Sequence, residues 1–458
     1  MHTLLNPRVV YCLLKGYLRD KDRVWRASWE AIRQLQDKAL RRMVRYAYEV
    51  PLYRQKYRDA GVHPDDISGV ADLKKLPFVS KDDLRRHFPE GIVHPDFDRE
   101  TAHLVSTSGS TGQPVSLYTD TSAVIKALFG FLREIQEYGV NWRKTRMSVI
   151  ADIDEHAVEE AYLHGSVMPA IRRLFPLDNL QILHVGDEPR DLIQRIDDFE
   201  PEFLGGYPGV LRALAVLKRK GYGEHIRPQV MSSSGGVLDE YTRRYIEDAF
   251  AAPIYDVYGS TEAGPVAFEC HNGQYHIHSD LVCLEFLDED GSDVAPGEPG
   301  RLVITRLYGR GTPVIRYTGM DDILVPLDES CQCGINTPVI GRVGGRKVDA
   351  IVLPDGEIIP PFSITGIPGE VMKQYETDKI KQFQIVQENF DELTFRLVID
   401  EELRDVGPSI ETICEEICRE TRHKVGPDIK VTVTEVDCIG GSDTSKPPVL
   451  VSKVNGRA

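Results

Sequence analysis

The chain has 458 residues, 41% hydrophobic and 28% charged, an ordinary soluble balance at a length that calls for two or more domains. A formal net charge of −16 argues against a nucleic-acid or acidic-membrane partner, yet it permits a local anion site built from a few positioned donors. Eight cysteines in so long a chain make no compact disulfide framework, no secretory signal is present, and no run reaches the ~18 apolar residues of a spanning helix. The expectation is a cytoplasmic enzyme with reduced thiols.

Residues 1–100 read as mostly helical, beginning with an amphipathic stretch interrupted by Arg8, Lys15 and Arg19, with turn signals at Pro51, Gly61, Pro64 and Pro77. β-like runs follow at 103–105 and 115–118. Short β-rich runs at 147–153, 180–185 and 202–206 then alternate with helical stretches such as 239–250, the pattern of a layered α/β domain. From 280 the runs 281–291, 301–307 and 323–327 become hairpin-like. GRVGGRKVD, 341–349, reads as a hinge, dividing the chain into an N-terminal domain, 1–343, and a C-terminal domain, 344–458. Beyond it, strands at 381–387 and 393–400 precede a helix at 408–423 and a strand at 429–436. On that helix Ile410, Ile413, Cys414, Ile417 and Cys418 share one face. The result is a small α+β unit.

The loop STSGSTGQP, 106–114, carries the clearest chemistry. Gly109 and Gly112 let the backbone turn and present N–H groups to an anion. Ser106, Thr107, Ser108, Ser110 and Thr111 add hydroxyl donors. It reads as a polyphosphate cradle, though it is not a Walker loop, because no Lys-Ser or Lys-Thr closes it. SSSGG, 232–236, offers Ser234, Gly235 and Gly236 either as a helix-entry turn or as a backbone surface for a nucleotide base. In YGSTEAG, 258–264, the segment Tyr258, Gly259, Ser260 and Thr261 would admit a flat ligand, and Glu262 is a hard oxygen ligand suited to Mg²⁺; a turn with a surface Glu would look the same. In RYTGMDD, 316–322, Arg316 offers a planar cation for phosphate or carboxylate and Asp321 or Asp322 an acceptor for ribose hydroxyls.

Two separated Cys/His groups fit a tetrahedral Zn²⁺ site: Cys270 and His276, with Cys331 and Cys333 some sixty residues later. His271 or His278 could replace His276. With all four positions filled by protein, such a metal is structural. Cys414 and Cys418 read as core residues. No nucleophile elbow or Ser-His-Asp triad is present.

Taken in order, these segments resemble the adenylate-forming superfamily of acyl- and aryl-CoA ligases. VRYAYEVPLYRQKYRDAGVHPDDI (44–67), LKKLPFVSKDDLRRHFP (73–89) and the CxCG followed by PVIGRVGGR are similar to its phenylacetate-CoA ligase-like branch, which includes capsule-biosynthesis CapK-like proteins. The resemblance covers nearly the whole chain. It implies a large layered α/β N-domain with a small α+β lid that moves. It also implies ATP-dependent activation of a carboxylic acid, aryl or arylacetic, to an acyl-AMP with release of pyrophosphate, then transfer to the thiol of coenzyme A. Ser106 to Gly112 would hold the phosphates, Glu262 Mg²⁺ and Asp321 the ribose, with Arg342 of the hinge segment in the nucleotide set. Lys446 would meet the charge developing between carboxylate and α-phosphate, Lys453 being the nearby alternative. The chain has Val115 where many members carry Lys, Val348 where an acid is usual, and Ser445 where Gly is usual. An amine, a sugar-linked group or a deazaflavin cofactor as substrate or acceptor, a kinase-like ATPase, and a non-catalytic nucleotide-binding protein on the same scaffold are the alternatives. A homodimer is left open.

Overall fold

The computed structural model describes residues 7–20, 24–107, 114–163, 165, 168, 172, 177–288, 290–320, 322–341, 351–354, 358–359, 362–375, 377, 379–439 and 449–454. The chain divides into two compact units. One comprises Met1–Gly236, Ile246–Met320 and Leu324–Arg342; the other comprises Val237–Tyr245, Asp321–Ile323 and Val343–Ala458.

The first unit opens with helices, as its sequence predicts. In the helix Trp29–Tyr48, Ser28 caps the N-terminus by accepting from the Ala31 N–H at 3.3 Å. Ile32, Leu40, Met43, Val44 and Ala47 fall on one stripe and are buried. Each large apolar side chain so buried contributes about 1.5–3 kcal/mol.

The strands β1 (His103–Ser106) and β2 (Ser116–Thr119) pair antiparallel with Ser106 opposite Ser116. Then come β3 (Met147–Ala151), β4 (Leu180–His184), β5 (Phe203–Gly206), β6 (Val230–Ser234), β7 (Ile254–Ser260), β8 (Gly264–Glu269) and β9 (Tyr275–Ile277). With the short strands Val339–Ile340 and Pro326–Leu327 they form one nine-stranded sheet. Its order runs β4, β3, β5, β6, β7, β8, β9, Val339–Ile340, Pro326–Leu327. The first five are parallel and the rest antiparallel. Parallel strands are covered on both faces, which explains why β3 and β5 read as apolar runs. β10 (Val282–Leu287) and β11 (Gly300–Arg306) form the expected hairpin.

The helix Thr121–Glu137 lies close to the antiparallel half. A Cβ at Gly130 would stand 2.9 Å from Pro265 Cγ and 3.1 Å from Leu281 Cδ1, so only glycine permits this approach. The same helix buries Arg133, which donates to Asp280 at 2.8 Å and lies over the Trp25 ring. Burial would raise the Asp280 carboxyl, but Arg133 and Lys126 bring it down to about 2.

The second unit has a four-stranded sheet in the order Lys430–Glu435, Glu392–Ile399, Ile380–Asn389, Leu450–Ser452. The helix Ile410–Val425 packs Ile413 and Ile417 into its core, with Ile410, Cys414 and Cys418 at the margin. The predicted ββαβ unit is therefore present, one strand short of the observed sheet. Among the described residues no helix is long and apolar enough to cross a membrane.

Candidate functional site

Open α/β sheets bind ligands outside the carboxyl ends of their parallel strands, and Ser234 and Tyr258–Ser260 end the parallel strands β6 and β7. β1 leads into the glycine-serine loop and β2 follows it. The Thr107 N–H donates to the Val115 carbonyl and the Val115 N–H to Thr107 Oγ1, both at 3.0 Å. Ser106 and Ser116 hydroxyls meet at 2.8 Å, and the Ser106 N–H donates to the His156 carbonyl at 3.0 Å. The hairpin thus stands beside the segment that follows β3. Ser108, Gly109, Ser110, Thr111 and Gly112 lie outside the described residues.

Ser232–Ser234, left open as a turn, is the end of strand β6. Ser233 donates to Asp256 Oδ1 at 2.5 Å, and Tyr275 to Asp256 Oδ2 at 2.8 Å, so a buried carboxylate ties β6, β7 and β9 together. Gly235 has φ +75°, and a Cβ there would fall 2.4 Å from the Tyr207 ring. Tyr207 in turn donates to Glu159 Oε1 at 2.6 Å. Burial raises the Glu159 carboxyl, and burial together with Glu159 raises the Tyr207 phenol. Asp152, Asp154 and His184 converge at the ends of β3 and β4, their ligand atoms within 4.8 Å of one another. Sequence spacing could not join His184 to the two acids, because only the parallel β3–β4 register places Ala151 beside it.

Tyr258, Gly259 and Ser260 end β7 and Thr261 follows in the turn, all half-buried. Ser260 Oγ accepts from the Ala263 N–H at 3.1 Å, tightening the turn into β8. Glu262 is buried, its Oε1 accepting from the Tyr317 hydroxyl at 3.3 Å and its carbonyl from Arg306 at 3.0 Å.

Arg316 differs from expectation. Its Nε and Nη2 form a two-pronged pair with Glu285 at 3.0 and 2.8 Å, and Nη1 donates to the carbonyls of Leu76 and Lys74 at 2.6 and 3.2 Å. A guanidinium so committed is an internal brace rather than a phosphate contact. Asp322 is buried. Asp321, Arg342, the hinge residues 342–349 and Lys446 lie outside the described residues. Lys453 pairs with Glu388 at the surface.

At the far end of β8, four predicted ligands come together. One donor atom each of Cys270, His276, Cys331 and Cys333 lies within 4.8 Å of the others. Cys270 and Cys331 sulfurs are 3.6 Å apart, and Cys333 Sγ is 3.2 Å from His276 Nε2. The opposite ring nitrogen, Nδ1, is 3.5 Å from Thr337 Oγ1, and Asn272 Nδ2 points at Cys331 Sγ from 3.7 Å. Burial brings His276 down to about 4, so the imidazole is neutral, the form that ligates. Burial raises the Cys270 and Cys333 thiols; it would also raise Cys331, but hydrogen bonds, first from Cys333, hold that thiol below its usual value. The alternative histidines go elsewhere: His271 to Glu137 at 2.9 Å and His278 to the buried Glu134 at 2.6 Å.

Comparison with known proteins follows the same lines. The chain is 27% identical to a phenylacetate-coenzyme A ligase of Thermus thermophilus over 88% of its own length and 92% of the relative's. It is 28% identical to another phenylacetate-coenzyme A ligase, from Pseudomonas putida, over 76% and 77%. It is 24% identical to Protein CapK of Staphylococcus aureus over 74% and 73%. In fold it is similar to a crystal structure of 2-hydroxyisobutyryl-CoA ligase in the postadenylation state, with TM-score 0.76 and 22% identity over 93% and 90% of the two chains. Residues 66–308, a little over half of the chain, match the family model of the AMP-binding enzymes. The chain belongs to the AMP-binding enzyme family.

Proposed function

We propose that the protein uses ATP to convert a carboxylic acid to an acyl-AMP, releasing pyrophosphate, and then passes the acyl group to the thiol of coenzyme A. The observation that carries this reading is the family match over 66–308, which spans the β1–β2 loop, the β6 end and Glu262. No covalent nucleophile is required, because in-line attack at phosphorus depends on positioning and charge neutralisation. Ser106, Thr107 and the loop after them hold the phosphates. Ser234, Gly235, Gly236 and Tyr258 to Thr261 flank the base. The buried oxygen ligand Glu262 suits Mg²⁺, which would neutralise phosphate charge when bound. Asp321 takes the ribose, and the C-terminal unit, joined near 343/344, is the lid that brings Lys446 to the carboxylate–phosphate junction. The acid is aryl or arylacetic in this reading.

The four-donor cluster fits a structural Zn²⁺: three thiols and one neutral imidazole from protein fill a tetrahedral set and leave no open position for chemistry. The neighbouring Asn272 and Thr337 stand where outer partners hold ligands in place.

A panel of carboxylic acids, scored by pyrophosphate release with and without coenzyme A, tests the main reading. One acid should give release, and thiol should accelerate turnover. Orthophosphate and ADP as products would refute it. Lys446→Ala should cripple adenylation yet spare transfer from a supplied acyl-adenylate; equal loss of both steps would remove Lys446 from this role.

A further inference from the structure

Arg316 has φ 45°, the left-handed region, which a bulky non-glycine residue occupies only where its surroundings impose it. Here they do so from every side. Glu285 grips the guanidinium through two oxygens, the Leu76 and Lys74 carbonyls take Nη1, and the Phe78 ring lies 4.1 Å below. The Arg316 N–H donates to Thr305 Oγ1 at 2.9 Å. Arg316 and Glu285 are both buried, at 5% and 9% exposure. A buried ion pair is poor evidence of stability alone, so its consequence is to be sought in what the imposed turn aims.

The next residue is Tyr317, fully buried. Its backbone pairs with Ile304 on β11 in both directions, at 2.9 and 3.1 Å. Its hydroxyl donates to Glu262 Oε1 at 3.3 Å. A Cβ at Gly319 would lie 2.3 Å from that hydroxyl oxygen, so Gly319 is the clearance that lets the ring stand there. Three features of one short segment, the forced turn, the ring and the missing side chain, converge on one carboxylate.

We propose that Arg316, clamped by Glu285, is a positioning residue that holds Tyr317 against Glu262 and so fixes the carboxylate for its cation. This rests on the assignment of Mg²⁺ to Glu262. A hydrogen bond to a ligating carboxylate restricts its rotamers; loss of such an outer partner typically weakens metal affinity roughly 10–100-fold.

The test uses full-length protein, loaded with α,β-methylene-ATP for metal binding and with ATP and the acid that scores in the panel for exchange. Mn²⁺ binding is followed by its electron paramagnetic resonance signal, alongside Mg²⁺ dependence of pyrophosphate–ATP exchange. Tyr317→Phe, which removes one oxygen, should raise the Mn²⁺ dissociation constant and the half-saturating Mg²⁺ about tenfold with the melting midpoint unchanged. Arg316→Lys and Glu285→Gln should shift both in the same direction, and the double variant should be no worse than the worse single. Wild-type metal affinity in Tyr317→Phe overturns the proposal, as does a double variant whose losses multiply, since Arg316 would then act apart from Glu285. Glu262→Gln separates the two levels. If it retains metal affinity and exchange, the Mg²⁺ assignment fails and takes this inference with it. If it loses both while Tyr317→Phe behaves as wild type, only the positioning role fails.

Discussion

Strand β8 has chemistry at both ends, and the two ends are built on opposite plans. Near its start, Glu262 sits in the turn between β7 and β8, beside the Ser260 hydroxyl and under the Tyr317 hydroxyl. Just past its finish, Cys270 joins three other donors from the same chain. The six residues of β8, Gly264–Glu269, separate the two, roughly 20 Å of extended backbone. On the proposed function, the protein places its donors at the first end around a substrate. At the second it supplies every donor itself. The first arrangement suits binding and charge neutralisation during a reaction, the second suits holding a fold. Perturbing the two ends should therefore move different observables.

The largest effect is expected at the first end. Glu262→Gln removes one electrostatic contact at the phosphates, and such losses cost roughly 10²–10³ in rate. Pyrophosphate–ATP exchange should fall by that factor while the melting midpoint stays put. An active variant with unchanged Mg²⁺ dependence would erase the contrast.

At the second end the sign reverses. Elemental analysis of protein purified without added metal should give about one zinc per chain, as a closed four-ligand site requires. Cys331→Ser should then lower the melting midpoint by roughly 3–5 °C, a few kcal/mol at this size, with exchange at low temperature close to wild type. Metal-free protein of full stability would refute the site.

The smallest effect sharpens the description of the second end. Arg133 lies over Trp25, which packs on Phe268 of β8, and it holds Asp280 at about 2 against an ordinary 3.8. A carboxyl lowered in the folded state contributes stability that is present above its unfolded value and lost as pH falls through the folded one. Denaturant titrations should thus lose on the order of 2 kcal/mol between about pH 4 and pH 2. The Arg133→Met, Asp280→Leu double variant should flatten that limb; an unchanged slope would deny the pair this role.

The sequence made the parallel half of the large sheet legible, because strands such as Met147–Ala151 are apolar runs between turn signals. Val230–Ser234 and Ile254–Ser260 were harder to read as strands: they end in serines and glycines that look like loop, and their pairing is supplied by neighbours far along the chain. The strand Leu450–Ser452 is three residues long and carries no period at all. At the site, cysteine spacing pointed to the four-donor cluster, but His276 and His278, two residues apart, could not be ranked until the structure gave His278 to Glu134. Arg316 was misread because its partner, Glu285, sits thirty-one residues upstream on β10. A planar cation in an RYxG segment looks the same whether it faces a phosphate or a buried carboxylate.

The central claim is that a carboxylate oxygen attacks the α-phosphate of ATP. Isotope transfer tests it most directly. The acid that scores in the panel is supplied with both carboxylate oxygens as ¹⁸O and turned over with ATP and coenzyme A. Attack at the α-phosphate followed by thiol displacement leaves one of those oxygens on the phosphorus of AMP and the other in the thioester carbonyl. The account predicts AMP carrying one ¹⁸O per turnover, with unlabelled pyrophosphate. ¹⁸O in orthophosphate, with ADP as the nucleotide product, would contradict it.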